Sequence, residues 1–225
     1  MINIDELHDE EIELLTLQRS SYKCGGIQAV IDEVETDCKI ILSLDLTDNR
    51  FGSVLDVGGG FGFMLSVLSD KFEQLYLLDK DVYEKEKSTK GVNKFEDFGG
   101  YNRFSTTEKI VSKKVNFLTP ENYKKSDEKF DLIYSWYSCG WHYDPSAYLD
   151  WCIEHLNPGG SVVFLLKPHP HGMTGDTTGQ SYKKSFCNIA LQYDVNFEIQ
   201  SIFPYEEIEQ KKGLRGCLGI IKKYK

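Results

Sequence analysis

The sequence lacks any run of about 20 apolar residues, the length that a membrane-spanning helix needs. Its first residues, MINIDELHDEE, lack the basic and then apolar order of a signal peptide. The six cysteines form no CxxC pair, which argues against a structural zinc site or a disulfide framework and favours a reducing compartment. We therefore expect a cytoplasmic protein that neither enters a membrane nor carries a metal.

Positive charge is also scarce, because 26 Lys and Arg stand against 35 Asp and Glu and give a net charge of −9. A negative chain repels phosphate backbones, so a nucleic-acid partner is disfavoured. The 225 residues, 40% of them hydrophobic, suit one compact core. We predict a helical cap over residues 1–50 and one globular domain over residues 51–225, and the oligomeric state stays open.

The clearest helix of the first fifty residues is marked by an apolar stripe. Its residues recur at helical spacing: Ile27, Val30, Ile31, Val34, Cys38 and Ile41. Residues 4–18 have the pattern of a short acidic helix before it. Gly25 and Gly26 separate the two helices, either as a hinge, as a ligand contact or as a plain turn.

From residue 53 onward, short apolar strands alternate with helices. The predicted strands are 53–57, 75–78, 115–118, 130–134, 162–166, 197–203 and 216–222. Such strands indicate a parallel sheet covered on both faces, and the loops after the strands meet along one edge where ligands bind. Residues 88–110 do not fit the alternation, and we expect either an insertion beside that edge or a loop that orders only with substrate. After residue 156 we expect NPGG to end a helix as a turn.

The most informative segment is VLDVGGGFG at residues 54–62, where a strand should end and a helix begin. Glycines there let the backbone approach a ligand and adopt positive φ, although a merely flexible turn is the alternative. A dinucleotide-binding G-x-G-x-x-G would need a glycine where Phe63 stands. Asp56, just before the glycines, would repel a pyrophosphate but attract the cationic amino end of an amino-acid-like ligand.

This spacing resembles the first motif of class I S-adenosylmethionine-dependent methyltransferases, D/E-x-G-x-G-x-G. Asp79, at the end of the second strand, stands where that family has the acid that accepts both ribose hydroxyls. FDLIYS at residues 130–135 and LNPGG at residues 156–160 resemble its fourth strand and the turn before its fifth. The resemblance implies a Rossmann-like α/β fold, a seven-stranded, mostly parallel sheet with helices on both faces, in which strand seven is antiparallel between strands five and six.

The resemblance also implies S-adenosylmethionine as the cofactor. Its expected contacts are Asp56, Gly58, Gly59, Gly60, Gly62, Asp79, Lys80, Asn116, Phe117, Ser135 and Trp136. The chain departs from the family after strand three, where NFLTPE has no Asp to bind the adenine amino group, and backbone groups or Asn116 are left for that contact. Asp79 could instead be a turn residue or a helix cap.

Candidates for catalysis follow strands four and five. Methyl transfer depends mainly on alignment, and a general base adds about 10²–10⁴-fold for a hydroxyl acceptor. Trp141-His142 resembles the apolar–histidine pair of small-molecule methyltransferases, and His169 and His171 are further candidate bases, although each histidine could be structural. Tyr137, Trp141 and Tyr143 are the expected acceptor pocket. These histidines and Asp144 do not have the spacing of a recognised metal site, so we expect no metal there.

We therefore expect a small-molecule methyltransferase that methylates oxygen on a sugar or another metabolite of a polysaccharide pathway. An N-methyltransferase acting on a small amine is the nearest alternative. A catalytically silent, cofactor-binding partner subunit is another. A nucleotide-dependent oxidoreductase is opposed by Phe63.

Overall fold

The structure, a computed structural model, covers most of the chain. It describes residues 4–9, 12, 22–44, 46, 51–79, 103–167, 178–202 and 216–224. By its internal contacts the chain divides into two compact units. Unit 1 comprises residues 1–43 and 59–123, and unit 2 comprises residues 44–58 and 124–225. The division into a cap over residues 1–50 and a domain over residues 51–225 stays a prediction.

The described residues contain five α-helices and seven strands. The helices are α1 Tyr22–Ser43, α2 Phe63–Leu68, α3 Arg103–Val111, α4 Leu149–Glu154 and α5 Thr178–Ala190. The strands are β1 Phe51–Val57, β2 Phe72–Leu78, β3 Asn116–Leu118, β4 Phe130–Ser135, β5 Leu156–Leu166, β6 Val195–Ser201 and β7 Cys217–Lys223. They follow the order β3-β2-β1-β4-β5-β7-β6, and β7 is antiparallel to both neighbours. The predicted seven-stranded, mostly parallel α/β fold is confirmed.

In unit 1, the apolar stripe of α1 is buried as its spacing predicts, with Val30, Val34 and Ile41 all in the core. The helix is interrupted at its start, because Gly26 has φ 66° and is not helical. The break lies at the glycine pair, and whether the pair is a hinge, a ligand contact or a plain turn stays a prediction. The helices α2 and α3 contact each other through Ser66 Oγ, which donates to the carbonyl of Ile110 at 3.0 Å.

In unit 2, the core is built on five strands. The parallel pairs β1–β4 and β4–β5 are continued by the antiparallel pairs β5–β7 and β7–β6. Helix α5 packs closely on this sheet, since a Cβ at Gly219 of β7 would lie 2.6 Å from the ring of Phe186. Both Phe186 and the neighbouring Phe164 are fully buried.

Two predictions about local structure were wrong. Within the expected insertion 88–110, residues 103–110 belong to α3, whose buried Thr106 and Thr107 give the helix a polar appearance in the sequence. The NPGG segment is part of β5 rather than a turn before it. Gly159 takes φ 77° there, and the register against β4 shifts, so the strand absorbs the turn-forming residues as an irregularity.

Some expectations fall on residues that the structure does not describe, including residues 88–102 and most of 4–18. In the described part, no helix has the length and apolar character to cross a membrane. The same part contains no cluster of three or more His, Cys, Asp or Glu that could hold a metal ion.

Candidate functional site

The glycine segment after β1 alternates between two kinds of backbone conformation. Gly58, Gly60 and Gly62 have φ of 72°, 61° and 70°, a left-handed region that favours glycine, whereas Gly59 does not. The motif therefore has glycine at every second residue because these positions adopt the left-handed conformation. In unit 1, Gly62 N donates to Gly59 O at 3.0 Å, and Gly62 O accepts from Ser66 N at 2.8 Å to start α2.

Gly62 is also required for packing within unit 1. A Cβ at this position would lie 2.8 Å from Cγ2 of Thr107 and 3.4 Å from Cγ2 of Val111. Both residues belong to α3, which therefore lies directly against the end of the glycine segment. Sequence reasoning missed this contact, because α3 falls in the segment that was expected to be an insertion.

Asp79 lies one residue beyond β2, where the resemblance expects it. Its Oδ2 accepts a hydrogen bond from Gly60 N at 2.8 Å, and its own N–H donates to Leu118 O at 3.1 Å. The carboxylate is half-buried. Unit 1 thus holds the predicted ribose-binding acid directly against the glycine segment.

The expected adenine residues lie on β3 of unit 1. Asn116 is the first residue of this strand, and its Nδ2 donates to Leu75 O at 3.3 Å. Phe117 stacks on Phe104 of α3, with ring centroids 4.0 Å apart and an interplanar angle of 16°. Contact of Asn116 and Phe117 with a cofactor stays a prediction, and Lys80 lies outside the described residues.

Asp56 is a buried acid of β1 in unit 2. It is 2% exposed, and its Oδ2 accepts a hydrogen bond from the hydroxyl of Tyr134 at 2.9 Å. The two residues are paired in register across β1 and β4. A buried carboxylate needs such a donor, so Tyr134 stabilises Asp56 inside the sheet. The only signal for this partner in the sequence is a hydroxyl-bearing residue within the apolar run FDLIYS.

Ser135 joins the ends of two strands in unit 2. Its Oγ donates to Val57 O and accepts from Cys139 N, both at 2.9 Å. Because the side chain is fully buried and its hydroxyl both donates and accepts, it fixes the start of the loop after β4 relative to the end of β1. Whether Ser135 also contacts a cofactor stays a prediction.

The loop after β4 is closed by backbone hydrogen bonds. Ser138 O accepts from Trp141 N and His142 N, and Gly140 N donates to Tyr143 O. Gly140 O then accepts from Lys167 N at 2.8 Å, which ties the loop to the end of β5. The segment from Ser138 to Tyr143 is thus a compact, fixed turn.

Aromatic rings surround the start of this turn. Tyr137 has φ 57°, which is uncommon for a residue other than glycine and costs about 1 kcal/mol or more. Its ring packs edge-on against those of Trp136 and Trp141, at centroid distances of 6.5 and 5.3 Å. Trp136 is 5% exposed, and among the described residues its Nε1 has no hydrogen-bond partner.

Two hydroxyls of the turn lie against the first glycine. Ser138 Oγ and Tyr143 Oη are 2.7 Å apart. A Cβ at Gly58 would overlap Ser138 Oγ and would lie 3.3 Å from Tyr143 Oη. Ser138 is 8% exposed and Tyr143 is 36% exposed. Tyr143 was expected in the acceptor pocket, but nothing in the sequence indicates its pairing with Ser138 or their contact with a glycine 80 residues away.

The candidate base on this loop differs in environment from the cysteine and the aspartate of the same loop. His142 is exposed on the turn, whereas His169 and His171 lie outside the described residues. Burial raises the pKa of the Cys139 thiol far above its ordinary value, so it stays protonated and is a poor nucleophile. Burial also acts to raise the pKa of Asp144, but hydrogen bonds from Ser185 and Ser146 outweigh it and lower that pKa.

Comparisons with known proteins give the family and the fold of the chain. A family described as a methyltransferase domain matches residues 34–210 of the chain. No curated protein matches the sequence. The solved N-methyltransferase NodS from Bradyrhizobium japonicum, in complex with S-adenosyl-l-homocysteine, has a similar fold, with a TM-score of 0.54 and 14% identity over 85% of this chain and 87% of that one.

Two further solved structures are similar. The plantazolicin methyltransferase BpumL, in complex with S-adenosyl-l-homocysteine, gives a TM-score of 0.53 at 16% identity over 96% of this chain and 98% of that one. An O-methyltransferase family protein from Burkholderia thailandensis gives 0.52 at 12% identity over 88% of this chain and 58% of that one. At these identities the likeness shows the fold alone.

Proposed function

The chain belongs to the class I S-adenosylmethionine-dependent methyltransferases, and from that premise we propose that it methylates oxygen on a small polar acceptor, such as a sugar or another metabolite of a polysaccharide pathway. The cofactor is S-adenosylmethionine. When bound, it supplies a methyl group on a sulfonium that is already an activated leaving group. The net charge of −9 supports a small metabolite over a nucleic acid as the acceptor.

The glycine segment and Asp79 fit this cofactor. Gly58, Gly60 and Gly62 leave a backbone without Cβ atoms, which a ligand can approach closely. The observation that carries the proposal is the 2.8 Å hydrogen bond from Gly60 N to Asp79 Oδ2, because it brings a carboxylate to that backbone. A carboxylate can accept hydrogen bonds from both hydroxyls of a ribose, and we assign this role to Asp79.

Asp79→Ala tests this role by calorimetry with S-adenosylhomocysteine. A hydrogen bond to a charged group is worth about 1.5–3 kcal/mol, so the affinity should fall by about tenfold or more. Asp194→Ala, which removes an exposed carboxylate elsewhere, is the matched control and should bind like the wild type. Unchanged affinity in a folded Asp79→Ala protein would remove Asp79 from the site.

Oxygen methylation is supported by the chemistry of the turn after β4. Tyr137 and Trp141 offer apolar ring surface for the carbon skeleton of a sugar, and Ser138 and Tyr143 offer hydroxyls for its polar edge. The task of these residues is to align the acceptor oxygen, since proximity alone is worth several kcal/mol. His142, exposed on the same turn, is the proposed base for an aliphatic hydroxyl.

The proposed base is tested by methyl incorporation into a mixture of small metabolites. His142→Ala should lower turnover by about 10²–10⁴-fold at saturating acceptor and leave the affinity for S-adenosylhomocysteine unchanged. His169→Ala and His171→Ala serve as parallel variants for the other candidate bases. Full turnover by the His142→Ala protein would exclude His142 as the base.

Methylation of nitrogen on a small amine is the second candidate. The edge-to-face rings of Trp136, Tyr137 and Trp141 favour it, because aromatic rings also attract cations. Analysis of the methylated product distinguishes the two, since an amine acceptor gives a new nitrogen–methyl bond and needs no hydroxyl. A chain that binds S-adenosylhomocysteine but methylates no acceptor would support a catalytically silent partner subunit.

A further inference from the structure

We propose that two copies of this chain pair through their β6 strands, antiparallel and centred on Phe197, to form a dimer with one continuous sheet. The interface lies wholly in unit 2, and it is independent of the proposed function. A strand of another protein is the alternative occupant of this edge, and the experiment below distinguishes the two.

Strand β6 lies at the edge of the sheet. It comes last in the order of the described strands, and its seven residues pair with β7 on one side. Its last four side chains, from Glu198 to Ser201, are all exposed. The strand contains no Pro, Lys or Arg, which are the residues that commonly protect a sheet edge from another strand. The backbone groups on its outer side are therefore suited to pairing with a further strand.

One face of β6 carries an apolar row. Ile199 is paired with Gly219 of β7, the glycine against which Phe186 of α5 packs. Because side chains alternate between the faces of a sheet, Val195 and Phe197 lie on this same face. Val195 and Phe197 are half-buried, and Ile199 is 37% exposed. Helix α5 thus leaves part of an apolar row uncovered at the edge of the sheet.

An antiparallel pairing centred on Phe197 matches this row with itself. Residues directly opposite each other in such a pair lie on the same face of the sheet. Phe197 would therefore lie opposite its own copy, and Val195 would lie opposite Ile199 of the second copy. The two-fold axis repeats the second contact, so the interface is closed and self-complementary.

The polar face of β6 is complementary in the same register. Asn196 would lie opposite Glu198 of the second copy, and the two-fold axis makes this pair twice. Tyr224 Oη donates to Asn196 Oδ1 at 2.7 Å, so the amide Nδ2 is the group that is left to donate to the carboxylate. A hydrogen bond to an ionised acceptor is stronger than one between neutral groups.

The neighbouring registers are less favourable. A centre at Asn196 would place Asp194 opposite Glu198, and a centre at Glu198 would place that carboxylate opposite its own copy. Like charges directly opposite each other destabilise a strand pair. A centre at Ile199 avoids this repulsion but places Phe197 opposite a serine. The register centred on Phe197 alone among these four joins apolar to apolar residues without opposing charges.

Sedimentation equilibrium of the full chain at several concentrations measures the dimer. The wild type should dimerise with a dissociation constant in the micromolar range or tighter. Ile199→Lys should weaken the dimer by about tenfold or more, because it places a charge in the apolar row on both sides of the two-fold axis. Leu191→Lys is the matched control. It makes the same change at a leucine that is 69% exposed outside β6, and it should leave the constant within about twofold.

A charge reversal tests the register. Asn196→Glu would oppose Glu198 of the second copy twice, and it should weaken the dimer by about threefold or more. Adding Glu198→Lys to this variant turns both pairs into opposite charges and should restore the dimer. Gln192→Glu makes the same change of charge at an exposed amide before β6, and it should have no effect.

Three outcomes would overturn the proposal. A wild type that stays monomeric at all concentrations would leave β6 to a strand of another protein. A dimer that Ile199→Lys does not weaken would lie on another surface. A loss in Asn196→Glu that Glu198→Lys does not restore would mean a different register.

Two measurements on the same samples serve as controls. Thermal unfolding confirms that each variant is folded. The affinity for S-adenosylhomocysteine should be equal in the wild type and all these variants. A wild type that dimerises but does not bind S-adenosylhomocysteine would refute the proposed function and leave the dimer in place.

Discussion

Asp56 of unit 2 and Asp79 of unit 1 are both carboxylates predicted to bind the cofactor, and they differ in what surrounds them. Asp56 lies inside β1 in unit 2, is 2% exposed and accepts a hydrogen bond from Tyr134. Asp79 lies just beyond β2 in unit 1, is half-buried and accepts from the backbone N–H of Gly60. Asp56 is therefore a residue of the core, whereas Asp79, one residue past its strand, keeps part of its surface exposed.

The largest expected effect of this difference is on stability. Asp56→Ala should lower the free energy of unfolding by about 2–4 kcal/mol, because it opens a small cavity and removes the acceptor of the buried Tyr134 hydroxyl. Urea denaturation measures it. Asp56→Asn, which keeps an acceptor oxygen, should lose less, and Asp79→Ala should lose under about 1 kcal/mol. An equal loss of free energy of unfolding for Asp56→Ala and Asp79→Ala would show that the two acids contribute equally to stability.

The same contrast explains which features the sequence predicted. Apolar strands, the glycine spacing and the acid at the end of β2 are local patterns, and the resemblance to a known family supplied the number of strands and the antiparallel β7 between β5 and β6. Partners that the fold brings together were not predictable, such as Tyr134 with Asp56 and the Ser138–Tyr143 pair with Gly58, because each joins residues about 80 positions apart. Helix α3 was missed because Thr106 and Thr107 are polar residues in buried positions.

The glycine at the end of the glycine segment is expected to be needed for stability. Gly62→Ala should cost about 1–3 kcal/mol, because it forces an L side chain to φ 70° and brings its Cβ to 2.8 Å from Cγ2 of Thr107. Gly59→Ala is the matched control and should cost less, since Gly59 does not have positive φ. Unfolding in urea measures both variants.

Thr107→Ser separates the two causes, because it removes the methyl group that the new Cβ would meet. In this background Gly62→Ala should cost less than in the wild type, and the remaining loss is the cost of the left-handed conformation. An unchanged cost would mean that α3 does not contribute to the requirement for glycine. The requirement would then come from the backbone alone.

The smallest expected effect involves a third carboxylate, Asp144, which contacts neither acid of the comparison. Burial acts to raise its pKa, but hydrogen bonds from Ser185 and Ser146 outweigh it and lower the pKa below its ordinary value. Because the folded pKa lies below the unfolded one, the stabilisation is present at neutral pH and is lost as the pH falls through the folded pKa. Ser185→Ala should remove part of it, less than about 1 kcal/mol at a partly exposed site.

The free energy of unfolding, measured from neutral to acidic pH, checks this prediction. The difference in free energy of unfolding between the wild type and Ser185→Ala should become smaller as the pH falls. A protonated Asp144 gains less from a hydroxyl donor than the carboxylate does. In an Asp144→Asn background, the loss of free energy of unfolding caused by Ser185→Ala should not depend on pH, since position 144 then carries no titrating group. A gap that stays constant with pH in the wild-type background would mean that Ser185 acts by packing α5 against the turn rather than through the charge of Asp144.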